Sequence, residues 1–267
     1  MRPLPTTYAH YRFGNDVVAG LPVEDQITVQ GYRFLFDFGV HGPDLLFYYK
    51  PLAKNRVNQT GYRDHERTGR DFFSQAIETA RTGEAPDKAR AYLYGVLCHF
   101  ALDRECHPYV GKKEKEQVSH SLIEASFDRF LMQKDGLDPL THNVTAHLHP
   151  DRESAKVIAP FFPPLTSQEI LDSEKSMVFY LKALIATGFK RSLLLGAMKT
   201  VGAEKLGDMF IPYSQDPRTQ DSDLRLYRLY EEAIPLAVEL ISQARACLEG
   251  APLETLGPGF DHTFGET

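Results

Sequence analysis

Cysteine is scarce in this chain: only Cys98, Cys106 and Cys247 occur in 267 residues. An odd count at these spacings builds no disulfide framework and matches no cysteine-based zinc site. The thiols therefore read as reduced, and the protein as cytoplasmic. Long apolar runs are missing too. None reaches the roughly 18 residues that a membrane span needs. The start, Met1-Arg2-Pro3-Leu4-Pro5, has no apolar stretch behind its basic residue, so no secretory signal is expected. Positive charge is in short supply: 30 Lys and Arg stand against 36 Asp and Glu, a net charge of -6. That disfavours a broad basic face for nucleic-acid phosphates, so no stable nucleic-acid partner is expected. It also speaks against general attraction to anionic lipid. No glycine cluster follows a strand-to-helix transition, which excludes a phosphate-cradling loop. No Ser/His/Asp arrangement can be singled out.

What is present is helical. Hydrophobic residues make up 42% and charged residues 25%, the balance of a globular chain. Helices are expected from Thr6 or Thr7 to about Leu21, from about Glu24 to Phe38, from His65 to Arg81 with Asp64 as cap, from Asp87 to Cys106 with Pro108 as stop, and from Lys113 to Gln133. Further helices are expected over Ser167 to Thr187, Phe189 to Val201 and Ser222 to Leu248. Lys50 to Tyr62 reads as loop, and residues 137 to 165 as irregular with a short helix near Arg152. The run Ala159 to Pro164 is either an apolar lip or a packed corner. The tail from Ala251 to Thr267 is expected to be loosely held. With no repeat and no strand-rich block, the class is all-α: a multi-helix bundle in one domain, residues 1 to 267. The helix around Ala91 to Leu102 is apolar on nearly every side and belongs at its centre.

Histidine and carboxylate pairs interrupt that apolar pattern. His-x-x-x-acid spacing occurs at His99/Asp103, His120/Glu124, His147/Asp151, His149/Glu153 and His262/Glu266. Only the first two fall on expected helices, where residues four apart share a face. A carboxylate at Asp103, on a buried helix, demands compensation by a metal, a cation or the histidine itself. His107 extends the stripe. Its backbone is about 12 Å from that of His99 along the helix axis, so the stripe suits two or more metals better than one. Carboxylate-bridged metal clusters serve phosphoester cleavage by activating water and neutralising phosphate charge. Each pair also has a plain structural reading: a buried His–Asp hydrogen bond for His99, a solvated pair for His120, a helix-end cap for His107. Asp44 reads equally as a turn or N-cap residue, His10 as a satisfied core histidine, and His65 as an exposed residue early in a helix. His142, His147, His149 and His262 read as loop histidines.

Pro5-Thr6-Thr7-Tyr8-Ala9-His10, His41-Gly42-Pro43-Asp44 with Leu45 to Tyr49, Leu97-Cys98-His99-Phe100-Ala101-Leu102-Asp103, His107-Pro108-Tyr109 and Ser119-His120-Ser121-Leu122-Ile123-Glu124 together resemble the bacterial zinc-dependent phospholipase C family. The resemblance covers residues 5 to 132. It implies a helical bundle holding three zinc ions and hydrolysing the phosphodiester of phospholipids; a fungal single-strand nuclease class shares the fold. Carried onto this sequence, it implies that Asp44, His65, His99 and Asp103 hold one zinc, and His107, His120 and Glu124 a second. His10 and Asp103 would hold a third, with Asp103 bridging, and Asp44 would be the general base. His41 is the alternative to His65. The secreted members use a processed amino terminus on the third zinc, so two or three ions are expected here. The substrate implied is a phospholipid or a smaller phosphoester. A soluble nucleotide is the rival, with Tyr48, Tyr49 and Tyr109 as a stacking platform. A metal-stabilised binding protein without turnover is a third reading.

Overall fold

The computed structural model describes residues 7–200, 202 and 204–265. Pro5 and Thr6 of the first motif, and Glu266 of the last His/acid pair, lie outside these. The regular structure of the described residues is all helix, with no strand; the one extended pairing is an isolated bridge between Thr68 and Thr263. In chain order the helices are α1 (Tyr8–Ala19), α2 (Val23–Gly31), α3 (Arg33–Gly39), a 3-10 helix Gly42–Tyr48, α4 (Arg56–Glu66), α5 (Gly69–Thr82), α6 (Pro86–Glu114) and α7 (His120–Lys134). After them come α8 (Arg152–Ile158), a 3-10 turn Ala159–Phe161, α9 (Ser167–Leu184), α10 (Gly188–Thr200), a 3-10 helix Glu204–Met209, α11 (Gln220–Leu248) and two short 3-10 helices, Leu253–Thr255 and Pro258–Asp261.

α6 is the axis of the bundle. Every residue from Ala91 to Asp103 is buried, and α1, α3, α5, α11 and the Gly42–Tyr48 helix all pack on it. Its closest neighbour is α3, where glycine permits the approach. A Cβ on Gly39 would lie 2.3 Å from the Tyr92 carbonyl oxygen, and one on Gly95 would lie 2.4 Å from that of Phe36. No L-side chain fits at either place without moving a helix.

The helix expected from Glu24 to Phe38 is broken at Tyr32 into α2 and α3; three further boundaries differ from expectation, and each of those moves a site residue. α6 does not stop before Pro108 but runs through it to Glu114. An internal proline forfeits a backbone hydrogen bond at a cost of about 3 kcal/mol; burial of Val110 and Lys113 in the next turns offsets it. Lys113 therefore belongs to α6, and α7 begins at His120, where the Ser119 hydroxyl accepts from the Leu122 amide at 3.3 Å. The third difference is α4, which replaces much of the expected loop from Lys50 to Tyr62. Asn55 and Asn58 cap it reciprocally, while Thr68, not Asp64, caps α5. His65 consequently sits at the end of one helix rather than the start of the next.

The expectation of a loose tail is overturned for residues 251–265. Phe260 and Phe264 are wholly buried. The Gly69 amide donates to the His262 carbonyl at 2.6 Å, and Arg104 donates to the Gly259 carbonyl at 3.0 Å. The sequence hid this because two aromatics among Gly, Pro and polar residues show no periodicity. The Ala159 to Pro164 run is a packed corner: Phe161 and Phe162 are buried, and its prolines face outward.

Candidate metal centre

The site forms where α1, the Gly42–Tyr48 helix, α4, α6 and α7 converge. α6 contributes three residues of one face, His99, Asp103 and His107, because each is four positions after the last. Gly42 brings the 3-10 helix against them. Its φ is +47°, and a Cβ there would meet the His99 ring at 2.5 Å. Two residues later Asp44 turns inward, with its Oδ1 2.8 Å from His65 Nε2 and its Oδ2 3.7 Å from His99 Nε2. His65 is aimed by the Gly61 carbonyl, 2.8 Å from its Nδ1. That contact makes Nδ1 the protonated nitrogen and leaves Nε2 as a lone-pair donor. Asp103 Oδ2 lies 3.1 Å from His99 Nε2. Asp44, His65, His99 and Asp103, all buried, present ligand atoms within 4.8 Å of one another.

A second group shares α6. His107 Nε2 is 3.9 Å from Glu124 Oε1, and His120 Nε2 is 3.1 Å from the same oxygen. These three residues also bring ligand atoms within 4.8 Å. His107 is aimed by the tail: its Nδ1 is 2.7 Å from the Phe264 carbonyl oxygen. Asp103 links the groups, since its Oδ2 is 3.9 Å from His107 Nδ1. His10 reaches Asp103 from α1, Nε2 to Oδ1 at 3.0 Å, and its ring stacks on His99 at 4.6 Å. It joins neither group.

Both groups fit a metal by more than proximity. Buried polar atoms are normally hydrogen-bonded, yet both ring nitrogens of His99, Asp103 Oδ2 and Glu124 Oε2 are buried without a hydrogen-bond partner. Among the described residues, four of the ten such atoms thus belong to members of these two groups. The donor set is nitrogen and carboxylate oxygen, the ligand chemistry of zinc.

A family model described as zinc dependent phospholipase C matches residues 9–173. The chain belongs to this family. No curated protein and no solved structure matches it. The matched span holds every candidate ligand, and the all-α fold is that of the zinc-dependent phospholipases C. Residues from 174 onward, including α10 and α11, lie beyond the match.

The electrostatics of these candidate ligand groups divide by residue type. Burial alone would raise the Asp103 and Glu124 carboxyls. The surrounding histidines instead hold Asp103 well below the usual range and Glu124 at about 2. Burial would lower the histidines, but the carboxylates prevail and raise His10 to about 9 and His120 to about 10. His65 and His107 are raised as well. Protons thus occupy, in the metal-free protein, the role a divalent cation would fill.

His41 goes elsewhere. Its Nε2 faces His147 Nε2 at 3.1 Å, and the His147 ring stacks on Tyr11 at 4.0 Å. Burial and the facing histidine push His41 well below its ordinary value, while burial and Arg33 take His147 to about 3. The geometry thus brings His65, not His41, beside Asp44. His147, read as a loop histidine, is a partner of this pair. Of the tyrosines considered for stacking, Tyr48 is wholly buried.

Sequence reasoning missed two acids. Glu114 lies 3.5 Å from His120 Nδ1. The Asp128 carboxylate accepts from the amides of Thr7, Tyr8 and Ala9 at 3.1, 3.1 and 2.8 Å, pinning the start of α1 and with it His10. Burial raises Asp128 to about 6 against those amides. Glu114 sits six residues before His120 across a helix break, and Asp128 is some 120 residues from its partners, so no local spacing marks either.

Proposed function

We propose that this chain is a zinc-dependent phosphodiesterase of the phospholipase C type. In this reading Asp44, His65, His99 and Asp103 hold one zinc, and His107, His120 and Glu124 hold another. His10 with Asp103 is the place for a third ion. The observation that carries it is the convergence of both groups on Asp103, which bridges them along one helix face. Zinc, when bound, supplies a water of lowered pKa and positive charge for the phosphate oxygens.

The chain's own residues do the rest. The Gly61 and Phe264 carbonyls fix the tautomers of His65 and His107 so that Nε2 of each points into the site. Asp44 is the general base: it takes a proton from the attacking water as oxygen bonds to phosphorus. The bond from phosphorus to the alcohol oxygen breaks, that oxygen takes a proton from a solvent water, and Asp44 gives up its own to bulk water. For a phospholipid the products are a diacylglycerol and a phosphorylated head group. Phe264, Phe100 and Phe47 wall the deep side against water, which strengthens every charge interaction inside.

The test is hydrolysis by zinc-loaded protein of micellar phosphatidylcholine and of a dinucleotide, with Asp44→Asn as comparison. Lipid turnover that falls about 100-fold or more in Asp44→Asn is the expected result. Turnover of the dinucleotide alone would move the substrate to the nuclease reading. Turnover of neither by zinc-replete protein would leave a metal-binding protein and overturn the proposal.

A further inference from the structure

Beyond the family match, α10 presents a surface that the metal site does not use. None of its residues is buried. Phe189 is 83% exposed and Leu193 63%. By helical geometry these two share an outward face with Gly196 and Ala197, and all four are exposed. Lys190 and Lys199 flank that face on either side, also exposed. The opposite edge fastens the helix. Arg191 donates to the Ile211 carbonyl at 2.8 Å and lies over the Phe210 and Tyr213 rings at 4.9 and 4.5 Å. On neighbouring α9, Phe179 is 67% exposed. The exposed apolar face of α10, with Phe189 and Leu193 one turn apart, is of the kind that marks an interaction site.

Charge indicates what covers it. Lys175, Lys182, Lys190, Arg191 and Lys199 fall between Glu174 and Glu204 with no acid among them, in a chain of net charge -6. The whole-chain charge conceals this basic segment. A second copy docking face to face would set Lys190 and Lys199 near their own counterparts, whereas anionic head groups would pair with them. The patch also lies near the starts of α1 and α7, two of the helices that carry candidate ligands. Ile185 lines both the groove beside Phe189 and a cavity whose other walls include Thr7, Ser121 and Asp128, next to the starts of α1 and α7.

We propose that α10 is a membrane-docking helix that lays Phe189 and Leu193 into the interface of an anionic phospholipid bilayer, with Lys190 and Lys199 on the head groups. The proposal rests on the phospholipase reading for its purpose, because it would hold the catalytic centre against a surface made of substrate. Binding is nevertheless measurable without turnover. Zinc-loaded protein is sedimented with vesicles of phosphatidylcholine alone and of phosphatidylcholine with phosphatidylserine. Wild type, Phe189→Ser/Leu193→Ser and Lys190→Glu/Lys199→Glu are compared. A monomeric short-chain phosphodiester reports turnover, and thermal melting reports folding.

Wild type is expected to sediment with the anionic vesicles and to be released by salt. Each double variant should bind about tenfold more weakly or worse, with melting temperature and soluble-substrate turnover unchanged. Vesicle binding without turnover on the soluble substrate would support the docking helix while overturning the phospholipase reading. Wild type left in the supernatant with both vesicles, or binding unchanged in both variants, would overturn the docking helix. So would a concentration-dependent dimer that Phe189→Ser/Leu193→Ser abolishes while vesicles bind nothing.

Discussion

Replacing Gly42 by alanine adds one methyl group at the point where the 3-10 helix meets α6. Two costs arise. Alanine at φ +47° forces a left-handed backbone, worth about 1–2 kcal/mol. The new Cβ would also lie 2.5 Å from His99 Cδ2 and 2.8 Å from Cγ, and overpacking of a tight core costs about 1–3 kcal/mol. The His99 ring has little room to retreat, with His10 stacked at 4.6 Å and Phe264 at 5.8 Å. The sum is about 2–5 kcal/mol. Gly136→Ala separates the two costs, because Gly136 has φ +73° with nothing within 4 Å of an added Cβ; it should lose only the backbone share. Urea unfolding of both variants and wild type reads the difference as a shift in midpoint at constant slope. Displacement of His99 or Asp44 should also lower zinc content in Gly42→Ala alone. If Gly42→Ala is no less stable than Gly136→Ala and keeps its metal, the packing of this helix against His99 is wrong.

Zinc uptake should release protons. His10 and His120, raised to about 9 and 10, are largely protonated at pH 8, so loading there should release about two protons, read by an indicator dye in weak buffer. Uptake with no proton release would contradict the charge pattern. The same shifts fix a pH dependence for the metal-free protein. Both histidines have folded values above the ordinary 6.5, so their stabilisation is complete below about pH 6.5 and is lost as pH rises through about 9–10. Melting temperature should fall over that window without zinc and hold better with it. Phe264→Ala should cost about 3–5 kcal/mol in urea unfolding, as expected for a wholly buried ring packed on Phe72, Phe100 and His99. A loss under about 1 kcal/mol would return the tail to the loose state its composition suggests.

The central helix and its ligand stripe were legible in the sequence because α6 carries both signals at once: an all-round apolar pattern, and His99, Asp103 and His107 at helical spacing. His120 and Glu124 were legible for the same local reason. α4 was not. Apart from Val57, its buried face is built from Asn58, Thr60, Gly61, Asp64 and His65, small or polar side chains, so one apolar residue alone marks no period. The polarity that disguised it as a loop is what lets it carry His65 up to Asp44. Pro108 misled because local propensity yields to tertiary burial, and with it went the reading of His107 as a helix-end cap. Phe264, Asp128 and the His41–His147 pair were beyond reach. Their roles are contacts across about 100 residues or more, fixed by the packing of whole helices rather than by any spacing.

Metal content tests the account most directly. Protein purified without added metal or chelator, as wild type and as Asp103→Asn, is assayed for zinc by elemental analysis. Two ligand groups joined by Asp103 predict at least about two zinc ions per chain in the wild type, and a sharp fall in Asp103→Asn with the helical content intact. Wild-type protein that carries no metal and takes up none when zinc is supplied, or a variant that keeps the full count, would contradict the account.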